Sequence, residues 1–199
     1  MFTILALVGG LLSACGTIPY ILETLKGRTK PRLVTWATWS TLTGVAAAGA
    51  FADGQLSSGI FALLGSIATG LIVIAGLRYG DRSFTRLDIL CLSGVLAGLA
   101  LWLMLDSPAV AIWAAVTIDF VGFVPTFIHA WQKPHEETAS TFVIVGLGAA
   151  LTVGAVVSSG AHSVTAIGYP LYVAVSMGCC GAVILARKSA TAPSAQIES

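Results

Sequence analysis

Asp119 is the only acidic residue expected near the centre of an apolar segment, in a chain of 199 residues of which 10% are charged. A charged carboxyl at the middle of a bilayer costs about 2.5 to 3.5 kcal/mol even on the most lenient insertion scale, so such residues mark solute or proton pathways. The chemistry open to Asp119 is proton exchange coupled to solute movement. The plain structural alternative is a permanently protonated carboxyl bonded to a neighbouring carbonyl or hydroxyl. At 100° per residue, Asp119, Gly122, Thr126, His129 and Lys133 fall within a wedge of about 80° and form one polar stripe. Asp119 and His129 lie about 15 Å apart along that stripe, too far to pair directly. Ser13, Gly16, Tyr20, Glu23 and Gly27 make an equivalent stripe, again mostly polar or small. Tyr169, Tyr172, Ser176 and Cys179 follow the same helical spacing, and Trp36, Ser40 and Thr43, then Ser58, Ala62, Ser66 and Thr69, supply two further faces.

These faces need helices to carry them, and composition says which kind. The chain is 56% hydrophobic with a mean hydropathy of +0.91, far from a soluble average of roughly a quarter charged residues. Its apolar stretches recur at about the 20 residues that cross a bilayer. Seven spans are predicted, near 2 to 25, 33 to 53, 57 to 78, 86 to 106, 108 to 131, 138 to 158 and 163 to 187. The first has no basic stretch before it and is not expected to be a cleaved signal peptide. Lys26, Arg28, Lys30 and Arg32 fall in the first loop, Arg78, Arg82 and Arg86 around the third, Lys133 in the fifth, and Arg187 with Lys188 after the last span. Basic residues near span ends stay cytoplasmic, so the N-terminus is expected outside and the C-terminus in the cytoplasm. Absence of asparagine beside abundant alanine and glycine fits a GC-rich bacterial genome, and hence a bacterial plasma membrane. The net charge of +1 gives no hint of a nucleic-acid partner.

The sequence is also internally repeated. Gly16-Thr-Ile-Pro19-Tyr-Ile-Leu-Glu23 aligns with Gly122-Phe-Val-Pro125-Thr-Phe-Ile-His129 at a separation of 125 − 19 = 106. Spans one to three thus correspond to spans five to seven, with span four between them. An odd linking helix gives both copies the same orientation, a parallel repeat about an axis along the membrane normal. The expected fold is all-α and integral to the membrane, seven transmembrane helices arranged 3+1+3. Residues 1–80 form the first three-helix bundle, 81–107 an apolar linker helix, 108–188 the second bundle and 189–199 a disordered cytoplasmic tail.

The proline ending a first helix, the basic loop after it and the Thr, Ser and aromatic residues that open the next helix resemble the PQ-loop and SWEET superfamily. Val124-Pro125-Thr126-Phe127, followed by Lys133 and Thr138, is similar to the end of a SWEET first helix. Tyr20 and Thr126 stand where that family has a glutamine. The resemblance implies a transporter working by alternating access, and a cystinosin-like branch implies proton coupling.

The expectation is therefore a carrier of a small polar solute, with Asp119 coupling protons and no covalent chemistry. Ser13, Tyr20, Trp39, Ser66, Thr69, Thr126, Tyr169, Tyr172 and Ser176 are the candidate solute path. Pro19, Glu23, Pro125, His129 and Pro170 are the candidate gates and hinges. The ordinary reading of the hydroxyls is interhelical packing, and that of Glu23 and His129 is polar residues at a membrane interface. Trp36 and Trp39 read first as interfacial anchors, with stacking against a solute ring as the alternative. Cys15, Cys91, Cys179 and Cys180 are expected to be buried, with neither disulfide nor metal spacing. No metalloprotease, P-loop or dinucleotide motif is present, and neither enzyme activity nor a cofactor is expected. An ion or proton channel, or a membrane binding protein like the KDEL receptor, would use the same polar stripes. Surface glycine and alanine permit a homo-oligomer.

Overall fold

The computed structural model describes residues 2–82, 84, 86–105, 107–160 and 162–190. Among these the chain is helical, apart from one isolated bridge between Arg32 and Asp81. The helices are α1 (Phe2–Cys15), α2 (Ile18–Leu25), α3 (Leu33–Ala52), α4 (Leu56–Tyr79), α5 (Arg86–Leu105), α6 (Pro108–Gln132), α7 (Ala139–Ser158) and α8 (Val164–Ala190). A short 3-10 turn, Pro134–Glu136, follows α6. Five segments are long and apolar enough to cross a membrane: Ile4–Leu25, Leu56–Tyr79, Ile112–Gln132, Ala139–Ser158 and Val164–Ala190. Helices α3 and α5 have 20 residues each, which at 1.5 Å per residue is also about the thickness of a hydrocarbon core. In α3 the run of Thr, Ser and Trp lowers the hydropathy.

Polarity is arranged inside out. Ile4, Leu11, Ile67, Ile74 and Val175 lie on the exposed surface, whereas Ser13, Thr24, Asp119 and Thr152 are buried. Lipid reverses the usual preference, because apolar side chains lose nothing facing acyl chains while polar groups need protein partners. The chain is thus built for a membrane. Cys15 and Cys179 correct the expectation of burial, since both are exposed on that apolar surface; Cys180 is buried, and the Cys91 side chain lies outside the described residues.

The sequence offset of 106 recurs in three dimensions. Ala6, Gly9, Ser13, Thr17 and Thr24 are buried along α1 and α2, and Ile112, Ala115, Asp119, Phe123 and Ala130 are buried along α6. Each pair is 106 residues apart. Gly54 and Gly160, also 106 apart, take φ of 72° and 82° in the turns after α3 and α7, a left-handed conformation that costs glycine nothing. Packing follows the same rule. Helix α4 packs on both α1 and α3, and α8 packs on both α6 and α7; across the middle, α1 meets α7 while α3 meets α6. Helix α5 packs on α6 and α3.

The two copies differ at their prolines. Helix α1 stops at Cys15, the residue whose carbonyl Pro19 leaves without an amide partner, and Pro19 lies in the first turn of α2. The Thr17 hydroxyl donates to the Ala14 carbonyl at 2.7 Å, which favours a turn over continued helix. Pro125 lies within a continuous α6, where Phe123 stands in place of Thr17 and offers no such bond. Pro19 and Pro125 are thus not equivalent in local structure: one opens a new helix and the other lies within an unbroken one. Helix α8 continues to Ala190, two residues into the segment expected to be a tail; residues 191–199 lie outside the described part.

Candidate functional site

Two cavities follow one another through the bundle. The first is a vestibule of about 660 Å³ whose rim carries Arg28, Lys30, Arg32, Asp81, Lys133 and Glu137. Tyr20, Thr126 and His129 also face it. The loop after α2 and the loop after α6 line the same opening, so α2 and α6 end on the same side.

The second cavity, about 70 Å³, lies deeper in the bundle and is lined in part by Asp119. A single water needs roughly 10 to 15 Å³ on this measure, so there is room for several waters or a small solute. Ser13, Thr17, Thr43, Thr69 and Thr141 lie along it, and Phe61 and Tyr169 form part of its wall. Asp119 is 4% exposed and accepts a hydrogen bond from the Tyr172 hydroxyl of α8.

Trp36, Trp39 and Phe142 border both cavities and make the partition between them. Trp36 lies 4.9 Å from Tyr20 and 4.9 Å from Trp39, the latter edge-on at 85°. Trp39 reaches Phe123 at 6.0 Å. This corrects the anchor reading: both tryptophans are buried in the centre of the bundle.

At the end opposite the vestibule, side-chain hydrogen bonds tie α8 to α4 and α3. Pro170 has no N–H for the Ala166 carbonyl four residues before it, and the Ser58 hydroxyl of α4 donates to that carbonyl instead. Beside it the Thr165 hydroxyl donates to Asp53, at the end of α3. Pro170 therefore acts through the acceptor it frees, which clasps α8 to α4. Ser58→Ala leaves that buried carbonyl unsatisfied, a loss of about 1 to 3 kcal/mol. The expected readout is a lower melting temperature and faster thiol labelling of a cysteine placed at Phe61 from this side.

Most of the remaining expected path residues divide between the two cavities. Ser13, Trp39, Thr69 and Tyr169 line the inner cavity; Tyr20 and Thr126, with the expected gate residue His129, line the vestibule. Tyr172 reaches the site through Asp119. Ser66 is a correction, because it exchanges hydrogen bonds with Ser40 at 2.7 and 2.9 Å and seals α4 to α3. Ser176 bonds the Val173 carbonyl of its own helix at 3.4 Å, and Cys179 faces outward, so the stripe on α8 ends at Tyr172. Glu23 pairs with Lys26 at 2.9 Å and Arg28 at 3.3 Å and borders neither cavity, unlike its counterpart His129. The Pro125 side chain lies outside the described residues. Phe61, Thr141 and Phe142 were not singled out as path residues; Phe142 had a signal, as the counterpart of Trp36 at the same offset of 106.

Among the described residues no group of three or more His, Cys, Asp or Glu could hold a metal ion. Comparison with protein-family models, curated proteins and solved structures returns no match.

Proposed function

We propose that this membrane protein is a carrier for a small solute that works by alternating access, with proton coupling at Asp119. It would be built from two like-oriented three-helix units, residues 1–80 and 108–188, joined by the 81–107 segment. The observation that carries the reading is the sequence of compartments: a large vestibule, an aromatic partition, a smaller cavity lined by Asp119, and a clasped far end. An open mouth on one side and a hydrogen-bonded closure on the other is one of the two states a carrier must visit. The repeated burial pattern and paired helix contacts support two units related by an axis through the cavities. The basic rim favours a cytoplasmic vestibule, so the N-terminus would lie outside and the C-terminus inside, in a bacterial plasma membrane.

The test requires no knowledge of the solute. In a version with Cys15, Cys91, Cys179 and Cys180 replaced, a single Ser13→Cys reports on the inner cavity. A membrane-impermeant thiol reagent should label it from either face of oriented vesicles. A pH gradient should shift the ratio of the two rates, and Asp119→Asn should remove that shift. Labelling from the vestibule face alone under every condition would sink the carrier reading in favour of a binding protein. Steady ionic current would replace it with a channel.

A further inference from the structure

The inner cavity carries one carboxyl and, among the described residues, no basic side chain, and this points to the class of solute. A hydroxyl has one proton to donate and two lone pairs to offer. Four of the hydroxyls here spend that proton on backbone: Ser13 on Val145, Thr17 on Ala14, Thr43 on Trp39 and Thr69 on Gly65, at 3.3, 2.7, 2.8 and 2.9 Å. Towards the cavity they have lone pairs left. Asp119 adds a carboxyl; the donors left over include the Thr141 hydroxyl and the Trp39 indole N–H, both buried without a hydrogen-bond partner. Among the described residues no Lys, Arg or His lines this space.

The walls reinforce the same preference. Trp36, Trp39, Phe61, Phe142 and Tyr169 surround the carboxyl-bearing cavity, and aromatic faces attract cations, including quaternary ammonium groups, most strongly when both are out of water. An anion, or a solute carrying its own carboxylate, would find no basic partner and would meet Asp119. On the far side Asp53 ends α3 beside Thr165, a local charge favourable to a cation.

We propose that the solute of this cavity is a small organic ammonium ion without a carboxylate, held by Asp119 and the aromatic walls. The proposal rests on the carrier reading for its biological sense, but binding can be measured without it. Calorimetric titration of the purified full-length protein would use three probes: choline, its uncharged isostere 3,3-dimethylbutan-1-ol, and betaine, which adds a carboxylate. Choline should bind saturably and more tightly than either of the others by about tenfold or more. Asp119→Asn should remove that advantage while leaving the weak binding of the isostere unchanged, and Asp119→Glu should restore part of it. Choline binding no tighter than its isostere, or no saturable choline binding, overturns the proposal whatever the variants do. Thiol labelling at Ser13→Cys involves no ligand, so two-sided labelling without choline selectivity would remove the solute class and leave the carrier standing.

Discussion

Trp39→Ala is expected to turn the two cavities into one. The indole fills part of the partition between vestibule and inner cavity, edge-on to Trp36 and against Phe123. Aromatic pairs of this kind contribute about 0.5 to 1.5 kcal/mol each beyond their buried area. Losing two of them together with the bulk of the ring should lower the barrier enough for a tenfold or larger rise in rate, at about 1.4 kcal/mol per factor of ten. The measurement is the rate at which an impermeant thiol reagent, applied from the vestibule side, labels Ser13→Cys. The same substitution removes a buried side chain at a cost of about 3 to 5 kcal/mol, so the melting temperature should fall as well. Trp39→Phe keeps an aromatic face and should stay near the parent rate. An unchanged rate in Trp39→Ala, with the protein still folded, would mean that some other element closes the cavity.

Much of this organisation was legible in the sequence because lipid writes it there. Each expected span coincides with a helix, or for the first span a pair of helices, to within about three residues at either end, since hydropathy and the positions of Lys and Arg are set by the bilayer and not by neighbours. Asp119 stood out for the same reason. What the sequence could not reveal is which side chain a hydroxyl or ring meets across a helix boundary. Ser66 and Thr69 look alike on the face of α4, yet Ser66 bonds Ser40 while Thr69 satisfies itself on Gly65 and turns its oxygen to the cavity. Trp36 and Trp39 lie near the start of α3, where an anchor is the ordinary expectation, and only the packing of α6 and α7 against the first bundle encloses them. Pro170 suggested a bend, but its effect depends on Ser58, 112 residues away in sequence. Thr141 carried no mark beyond its type, because its role comes from lacking a partner.

Gly148→Ala is expected to be the most damaging methyl group that can be added to this chain. Helix α7 crosses α1 so closely that a Cβ at Gly148 would lie 2.5 Å from the Gly9 carbonyl oxygen, 2.5 Å from the Ser13 amide nitrogen and 2.9 Å from the Ser13 Cα. Every one of those atoms is backbone, so no rotamer change can relieve the clash and α1 must move as a body. Overpacking ordinarily costs about 1 to 3 kcal/mol where side chains can yield, and here the upper end or beyond is expected. Moving α1 also pulls Ser13 from the Val145 carbonyl and Thr152 from its seat against Gly9, which couples the clash to the inner cavity. Gly154→Ala, on the same helix, is the control, because a Cβ there meets nothing within 4 Å. By helix propensity alone that change should be neutral or stabilising by up to about 1 kcal/mol. Thermal unfolding of the two purified variants therefore reads the seam directly: a large fall for Gly148→Ala beside none for Gly154→Ala. At the equivalent seam between α3 and α6, the positions 106 residues away are occupied by Leu42 and Ala115, both buried, so the two seams are not equally tight. If Gly148→Ala proves as mild as Gly154→Ala, α1 and α7 are free to slide against each other at that seam.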